Sequence, residues 1–219
     1  MAHSVTPDRF SDVRWFTEVA STNRVAADLV REGAGDGLVV VADHQTAGRG
    51  RRGRTWESRP GSALLVSVVL RPVPPLVTLA AGVAAAEACQ AVAGAKVDLK
   101  WPNDLMLDDA KLGGILSELV GDAAVVGLGL NLGWAPAGAA CLGPGTDRDR
   151  LLAAWLAVLA QPSGDVLARY RQRCSTIGRQ VNVEVPGGQV AGMADGIDGE
   201  GRLVVDGRAI AAGDVVHVR

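Results

Sequence analysis

The sequence predicts an α+β fold, in which a mixed central sheet flanked by helices is followed by a small antiparallel β-barrel. Two observations support this prediction. Apolar runs of strand length alternate with longer helical segments in the first part of the chain. After Ser175 the sequence changes to short β-type runs separated by Gly and Pro turns, and four or five such strands in about 45 residues are typical of a small closed barrel. We therefore expect two domains, 1–173 and 174–219.

The first elements of the larger domain are a helix and two strands. A polar trio, Ser21-Thr22-Asn23, precedes an apolar stripe and predicts the capped N-terminus of a helix that ends near Gly33. Apolar runs at Leu38–Ala42 and Ala63–Leu70 predict strands, with a long loop between them.

The rest of this domain is predicted to complete the sheet and cover it. The alanine-rich segment Leu76–Val92 predicts a buried helix, because Glu87 and Gln90 interrupt it and make a membrane span unsuitable. Later segments predict strands at Val97–Trp101, in a hairpin around Asp108-Asp109 and at Ala123–Leu132, and helices at Asp147–Ala160 and Asp165–Cys174.

Composition excludes several classes of protein. The formal net charge of -2 disfavours a general nucleic-acid or membrane-surface binder, since those carry a basic surplus over a whole face. The cysteines and histidines have neither disulfide nor metal-ligand spacing, which favours a cytoplasmic protein without a zinc site. These residues are Cys89, Cys141, Cys174, His3, His44 and His217. The N-terminus has no pattern of a secretory signal.

The arginine loop, which we define as residues 47–54 (A-G-R-G-R-R-G-R), predicts an anion-binding segment. Glycine lets backbone N–H groups approach a ligand, and the arginine fork suits phosphate and carboxylate. Its glycines match a dinucleotide fingerprint in spacing, but that site needs a helix directly after them, and here a β-type run follows. Trp56, two residues beyond, is suited to stacking on a base. A plain solvated loop stays the alternative for this segment taken alone.

A second segment, Lys100-Trp101-Pro102-Asn103-Asp104, followed by Lys111, supplies ammonium and carboxylate groups. The chain has 19 arginines and three lysines, so two lysines in one segment indicate a specific need for a compact cation. Lys111 as a charge at a strand start and Asp104 as a turn cap remain the alternatives. Together the two segments predict acyl-phosphate chemistry, in which a triphosphate, its metal and a reacting acid are held together.

These motifs resemble those of the biotin protein ligases in order and spacing. The resemblance rests on the polar trio, Gln45 four residues before Arg49, the arginine loop, Lys100 to Leu105, Lys111 to Leu116, and the Gly127-Leu-Gly129-Leu-Asn131 segment. It implies a catalytic fold like that of class II synthetases and a two-step reaction. Biotin and ATP would give biotinyl-adenylate, with Mg2+ assisting, and a lysine of a biotin carboxyl carrier protein would then accept the biotin.

The resemblance also implies roles for individual residues. The catalytic residues would be Lys111, Arg51 and Arg49. Biotin would be bound by Ser21, Thr22, Asn23, Gln45, Arg49, Gly50, Arg51, Lys111 and Gly114. ATP would be bound by Arg51, Arg52, Arg54, Trp56, Lys100, Asn103, Asp104, Lys111 and Asn131. Asp104 would be the residue that contacts Mg2+.

One departure and one rival bear on this interpretation. Family members that also repress transcription carry a DNA-binding domain before the trio, and here only about 20 residues precede it. We therefore expect no DNA partner. We also expect no membrane partner, because the alanine-rich segment is interrupted by polar residues and the N-terminus has no signal pattern. The rival is a lipoate ligase or an octanoyl transferase on a related fold, which the trio and the arginine loop disfavour.

Overall fold

A seven-stranded mixed sheet forms the larger part of the computed structural model, which describes residues 8–161 and 164–218. His3 and the N-terminal segment considered for a signal lie outside the described residues. The strands are β1 (Val13–Val19), β2 (Val39–Gln45), β3 (Ala63–Leu70), β4 (Asp98–Lys100), β5 (Asp104–Leu107), β6 (Ala110–Val120) and β7 (Ala123–Asn131). The helices are α1 (Thr22–Arg31), α2 (Val77–Ala93), α3 (Arg148–Ala160) and α4 (Val166–Arg173).

The strand order β1-β2-β3-β7-β6-β5-β4 confirms a mixed sheet. β1 and β2 are parallel, and the remaining neighbours are antiparallel. The predicted strands and helices are all present, and their ends differ from the predicted ones by at most three residues. The hairpin turns at Asp108-Asp109, and both residues have positive φ, which Asp tolerates better than most residues.

β1 is the strand that the sequence did not predict. It lies at the edge of the sheet, where most of its residues are exposed or half-buried, including Trp15. Buried and exposed positions therefore do not alternate along this strand. Without that alternation the usual sequence signal of a strand is missing.

Helices cover both faces of the sheet. α1 packs against one face over a small cluster that includes Val40, Val69 and Val125. α2 lies on the other face within the main core, where Trp155 of α3 donates its indole N–H to the carbonyl oxygen of Ala81. β3 is buried along its whole length, which explains why all its residues except Ser67 are apolar. This layered arrangement places the N-terminus of α1 beside the long loop after β2.

The C-terminal part is a five-stranded antiparallel sheet, as its short strands predicted. It contains β8 (Gln180–Val185), β9 (Gly188–Ile197), β10 (Leu203–Val205), β11 (Arg208–Ile210) and β12 (Asp214–His217), in the order β11-β10-β9-β8-β12. In the described chain β11 and β12 do not pair, so the predicted closure of the barrel by hydrogen bonds is not observed. Several of its apolar residues, among them Val181, Val183 and Leu203, are nevertheless buried in the same core cluster as residues of the larger sheet.

In the described parts of the chain, no helix combines the length and apolarity that crossing a bilayer requires.

Candidate active site

A cleft of about 690 Å³, partly open to solvent, lies where α1, the arginine loop, β6 and β7 meet. Thirteen of the residues predicted for the site line it: Ser21, Thr22, Asn23, Gln45, Arg49, Gly50, Arg51, Arg54, Trp56, Asn103, Asp104, Lys111 and Gly114. These residues come from five separate segments of the sequence. The fold therefore brings together the two groups of residues that the sequence motifs singled out.

The polar trio is buried and held by a hydrogen-bond network at one end of the cleft. The backbone N–H of Thr22 donates to Gln45 Oε1 (2.7 Å). The two hydrogens of Asn23 Nδ2 reach the carbonyl oxygen of Leu116 (3.1 Å) and Glu118 Oε2 (2.8 Å). Ser67 Oγ lies 2.6 Å from Asn23 Oδ1 and 2.8 Å from the Thr22 hydroxyl. The side chains of Thr22 and Asn23 are thus fixed in orientation before any ligand is considered.

The predicted helix cap is only partly correct. Ser21 occupies the N-cap position of α1 with an extended backbone, but its side chain makes no capping hydrogen bond. It lines the cleft instead. The helix loses some stability because this hydroxyl does not cap its first backbone N–H groups. The hydroxyl is instead available to a ligand.

Two glycines of β7 make room for cleft side chains. A Cβ on Gly127 would collide with Asn23 Oδ1, and a Cβ on Gly129 would lie 2.7 Å from the Trp56 ring. Glycine at these two positions therefore allows the Asn23 and Trp56 side chains to approach the strand closely. The approaching groups are protein side chains that form the wall of the cleft.

The arginine loop folds into a compact turn and contacts the C-terminal sheet. Within the loop, the N–H of Gly50 donates to the carbonyl oxygen of Arg54 (2.7 Å). Three of its guanidinium groups converge on one carboxylate, Asp214 of β12: those of Arg51 (3.4 Å), Arg52 (3.4 Å) and Arg54 (2.5 Å). Three cations around one anion leave an excess of positive charge at the mouth of the cleft.

Lys111 and Asp104 form an ion pair beside the loop, with Nζ and Oδ1 2.6 Å apart. Asn103 connects this pair to the loop, because its Oδ1 accepts a hydrogen bond from Arg51 (3.1 Å) and its Nδ2 donates to the carbonyl oxygen of Ile115 (2.9 Å). Burial lowers the pKa of Lys100 from its ordinary value, and the nearby Lys111 lowers it further, against an opposing effect of Asp104. Burial also lowers the pKa of Arg51.

Three predicted residues do not line the cleft. Arg52 points to the C-terminal sheet, where it also donates to the carbonyl oxygen of Glu184 (3.1 Å). Lys100 is half-buried and interacts with both Asp104 and Lys111 through charge. Asn131 is buried beneath the segment at Ala140, whose carbonyl oxygen accepts from its Nδ2 (2.9 Å).

Two buried polar atoms near the cleft have no hydrogen-bond partner among the described residues. They are Nε1 of Trp56 and Oδ1 of Asn131. An unpaired buried donor or acceptor is costly, so native proteins usually satisfy such groups with a ligand or water. Trp56 Nε1 is a hydrogen-bond donor and Asn131 Oδ1 is an acceptor, and both are free to bind a ligand.

The sequence did not single out Ser67, Glu118 or Asp214. Ser67 lies in an otherwise apolar strand, and a buried hydroxyl in such a run is the signal that could have identified it. The two carboxylates carry no comparable signal, because charged residues are common at strand positions near a surface. Only their contacts reveal their roles.

A magnesium ion fits this donor set only if the nucleotide brings most of its ligands. Asp104 is the acidic residue among those that line the cleft, and no group of three or more His, Cys, Asp or Glu side chains suited to a metal occurs in the described chain. Mg2+ is commonly held by one or two carboxylates together with substrate phosphates.

Comparison with known proteins identifies two sequence families along the chain. Residues 15–133 match the model of the "Biotin/lipoate A/B protein ligase family", and residues 176–218 match that of the "Biotin protein ligase C terminal domain".

Curated relatives and solved structures agree with these matches. The chain is 40% identical to the biotin--[acetyl-CoA-carboxylase] ligase of Mycobacterium tuberculosis, over 92% of this chain and 88% of that protein. It is 34% identical to the bifunctional ligase/repressor BirA of Escherichia coli, over 86% of this chain and 67% of BirA. The structure resembles the biotin protein ligase of Aquifex aeolicus in complex with biotin and ATP, with a TM-score of 0.82, 26% identity and coverage of 96% and 100% of the two chains.

Proposed function

We propose a biotin protein ligase activity for this chain, which belongs to the biotin/lipoate A/B protein ligase family. The chain activates biotin with ATP to biotinyl-5'-AMP and transfers the biotin to a lysine of a biotin carboxyl carrier protein. The observation that carries the proposal is the single cleft that joins the buried polar trio to Lys111 and the arginine loop. One end of this cleft suits an uncharged polar ring, and the other suits several negative charges.

The trio end is proposed to bind the ureido ring of biotin. Gln45 uses its Oε1 for the backbone of Thr22, which leaves its Nε2 without a protein partner among the described residues. The Ser21 hydroxyl likewise has none there and lines the cleft. These groups offer donors to a carbonyl oxygen, and Thr22 and Asn23 maintain their geometry. Gly50, Gly114 and Arg49 would then lie along the rest of the biotin molecule.

The cationic end is proposed to bind ATP. Five cationic side chains, Arg51, Arg52, Arg54, Lys100 and Lys111, surround two carboxylates, Asp104 and Asp214. Their surplus charge suits a triphosphate. The unpaired Trp56 Nε1 and Asn131 Oδ1 are suited to an adenine, which offers both hydrogen-bond acceptors and an amino donor.

In the first step a biotin carboxylate oxygen forms a bond to the α-phosphorus, and pyrophosphate leaves with the electrons of the bond that breaks. Both reactants are anionic, and two unit charges 4 Å apart repel by about 4 kcal/mol at an effective dielectric of about 20. Lys111, with its ammonium near Asp104, is positioned to neutralise both. Bound Mg2+, held by Asp104 and phosphate oxygens, would supply further positive charge.

In the second step a carrier lysine amine attacks the acyl carbon, loses a proton as the amide forms, and releases AMP. The mixed anhydride hydrolyses readily, so the arginine loop has to exclude water until the lysine arrives. The contacts of this loop, within itself and with Asp214, are suited to that task.

Three further expectations, on the carrier protein, the cellular compartment and the domain boundary, complete the proposal. The carrier is the biotin-accepting domain of acetyl-CoA carboxylase or a related carboxylase. The chain works in the cytoplasm, in keeping with the free state of Cys89, Cys141 and Cys174. The chain divides into domains at 1–173 and 174–219, and the second sheet begins soon after this boundary.

Pyrophosphate release tests the proposal directly. The purified chain is mixed with MgATP and biotin, lipoate or octanoate, and pyrophosphate is followed in each mixture. We expect biotin-dependent release and, when a biotin carboxyl carrier domain is added, incorporation of biotin into that domain. Pyrophosphate release with lipoate or octanoate but not with biotin would support the rival activity instead. The absence of release with all three would refute the ligase assignment.

A further inference from the structure

We propose that Glu118 is a positioning residue that connects the polar trio to the arginine loop, so that biotin binding and closure of the loop are coupled. The inference rests on the proposed function and extends it to a residue that does not itself line the cleft. Glu118 lies near the end of β6, between α1 on one side and the beginning of the loop on the other.

The two carboxylate oxygens of Glu118 contact two different elements. Oε2 accepts a hydrogen bond from Asn23 Nδ2 (2.8 Å), and Oε1 lies 3.1 Å from Arg49 Nη2. Asn23 is 95 residues away in the sequence and belongs to α1. Arg49 belongs to the arginine loop. Through one side chain the two proposed biotin-binding segments are therefore joined directly.

The Asn23 contact fixes the orientation of the buried amide. Its Nδ2 is used by Glu118 and the carbonyl oxygen of Leu116, and its Oδ1 lies against the Ser67 hydroxyl. Rotating the amide by half a turn would place its oxygen against two acceptors, which is unfavourable. Asn23 is 3% exposed, so water does not replace a lost partner easily.

The Arg49 contact has a different character. The Arg49 side chain is 53% exposed, and an isolated ion pair at such a position contributes little. Here, however, Glu118 is already ordered by Asn23, so only the arginine loses freedom when the pair forms. The pair holds the beginning of the arginine loop toward the trio, at the place where biotin would be enclosed.

Glu118→Gln separates the two contacts. In glutamine one of the two carboxylate oxygens becomes an NH2 group, which cannot accept a hydrogen bond, so we expect the remaining oxygen to stay with buried Asn23 and Arg49 to be released. The expected result is an increase in KM for biotin of about threefold to fivefold, with smaller changes in kcat and in KM for ATP. Glu118→Ala removes both contacts and should raise KM for biotin by about tenfold or more. Asp122→Asn, a change of a carboxylate that is 82% exposed in the following turn, is the matched control.

Tryptic cleavage of the arginine loop in the unliganded protein provides a second readout. We expect Glu118→Gln to speed cleavage after Arg51, Arg52 and Arg54, and Asp122→Asn to leave it unchanged. This measurement needs no biotin chemistry. If the unsubstituted chain releases no pyrophosphate with biotin, the proposed function fails, while the cleavage rates still decide whether Glu118 holds the loop.

A double substitution completes the test. If Glu118 acts through Arg49, Glu118→Gln combined with Arg49→Gln should raise KM for biotin no more than the stronger single change does. Independent effects that multiply in the double variant would overturn the proposal. So would a Glu118→Gln protein whose KM for biotin and cleavage rate both equal those of the unsubstituted chain.

Discussion

Replacing Lys111 with alanine tests the central electrostatic argument. The Lys111 ammonium lies 2.6 Å from Asp104 Oδ1 and lines the cleft. An ammonium about 4 Å from each of two anions attracts each by about 4 kcal/mol at an effective dielectric of about 20. Asp104 already neutralises part of the ammonium charge, so we take only about half of the summed attraction as effective. Removing the side chain should then cost about 4 kcal/mol of transition-state stabilisation. The expected fall in kcat/KM is about 10²-fold to 10³-fold.

The fold should survive this change. The Lys111 side chain is 40% exposed, and an ion pair at such a position contributes about 0–1 kcal/mol to the free energy of unfolding. The melting temperature should therefore fall by about 4 °C at most.

The assay is biotin-dependent pyrophosphate release, with biotin and MgATP varied separately. Lys96→Ala is the matched control, because Lys96 is an exposed lysine that does not line the cleft. A Lys111→Ala protein that melts normally and keeps kcat/KM within tenfold of the unsubstituted chain would refute the reasoning.

Three further predictions concern the loop, the trio and the C-terminal strand. Asp214→Asn removes the carboxylate shared by three guanidinium groups, so trypsin should cleave the unliganded arginine loop faster. Gly127→Ala places a methyl group where the amide of the trio lies, and it should weaken biotin binding in calorimetry and lower the free energy of unfolding by about 1–3 kcal/mol. The pKa of His217 is lowered to about 4, mainly by burial and then by Lys100 and Arg179. The free energy of unfolding should therefore fall as pH decreases from about 6.5 toward 4. His217→Gln should reduce this loss, which urea titrations at several pH values would measure.

Each of these predictions has a control and a contrary outcome. Glu200→Gln changes an exposed carboxylate of the same sheet region, and equal cleavage rates in it and in Asp214→Asn would contradict the first prediction. Gly133→Ala adds a methyl group where nothing lies within 4 Å, and the second prediction fails if both alanine variants bind biotin alike. The sign for His217 follows because the unfolded chain binds the proton more readily. An unchanged pH dependence in His217→Gln would contradict the third.

The sequence predicted most elements because their signals are local. The buried run at Ala63–Leu70 and the alanine-rich helix each carry a strong pattern in consecutive residues. The hairpin at Asp108-Asp109 was recognised in the same way. β1 was missed because its position at the edge of the sheet removes the need for a buried face, and closure of the small barrel was expected although the sheet ends remain unpaired.

The sequence by itself predicted most of the polar side chains that line the cleft. The polar trio, the arginine loop and the Lys100–Lys111 segment are short, and the chemistry of their side chains can be read without a fold. What the tertiary structure decided is how these groups are held. Asn23 meets Glu118 across 95 residues, and Arg52 meets Asp214 across 162. No local pattern records such pairs, because packing of the sheet against α1 and the C-terminal strands is what brings them within hydrogen-bonding distance.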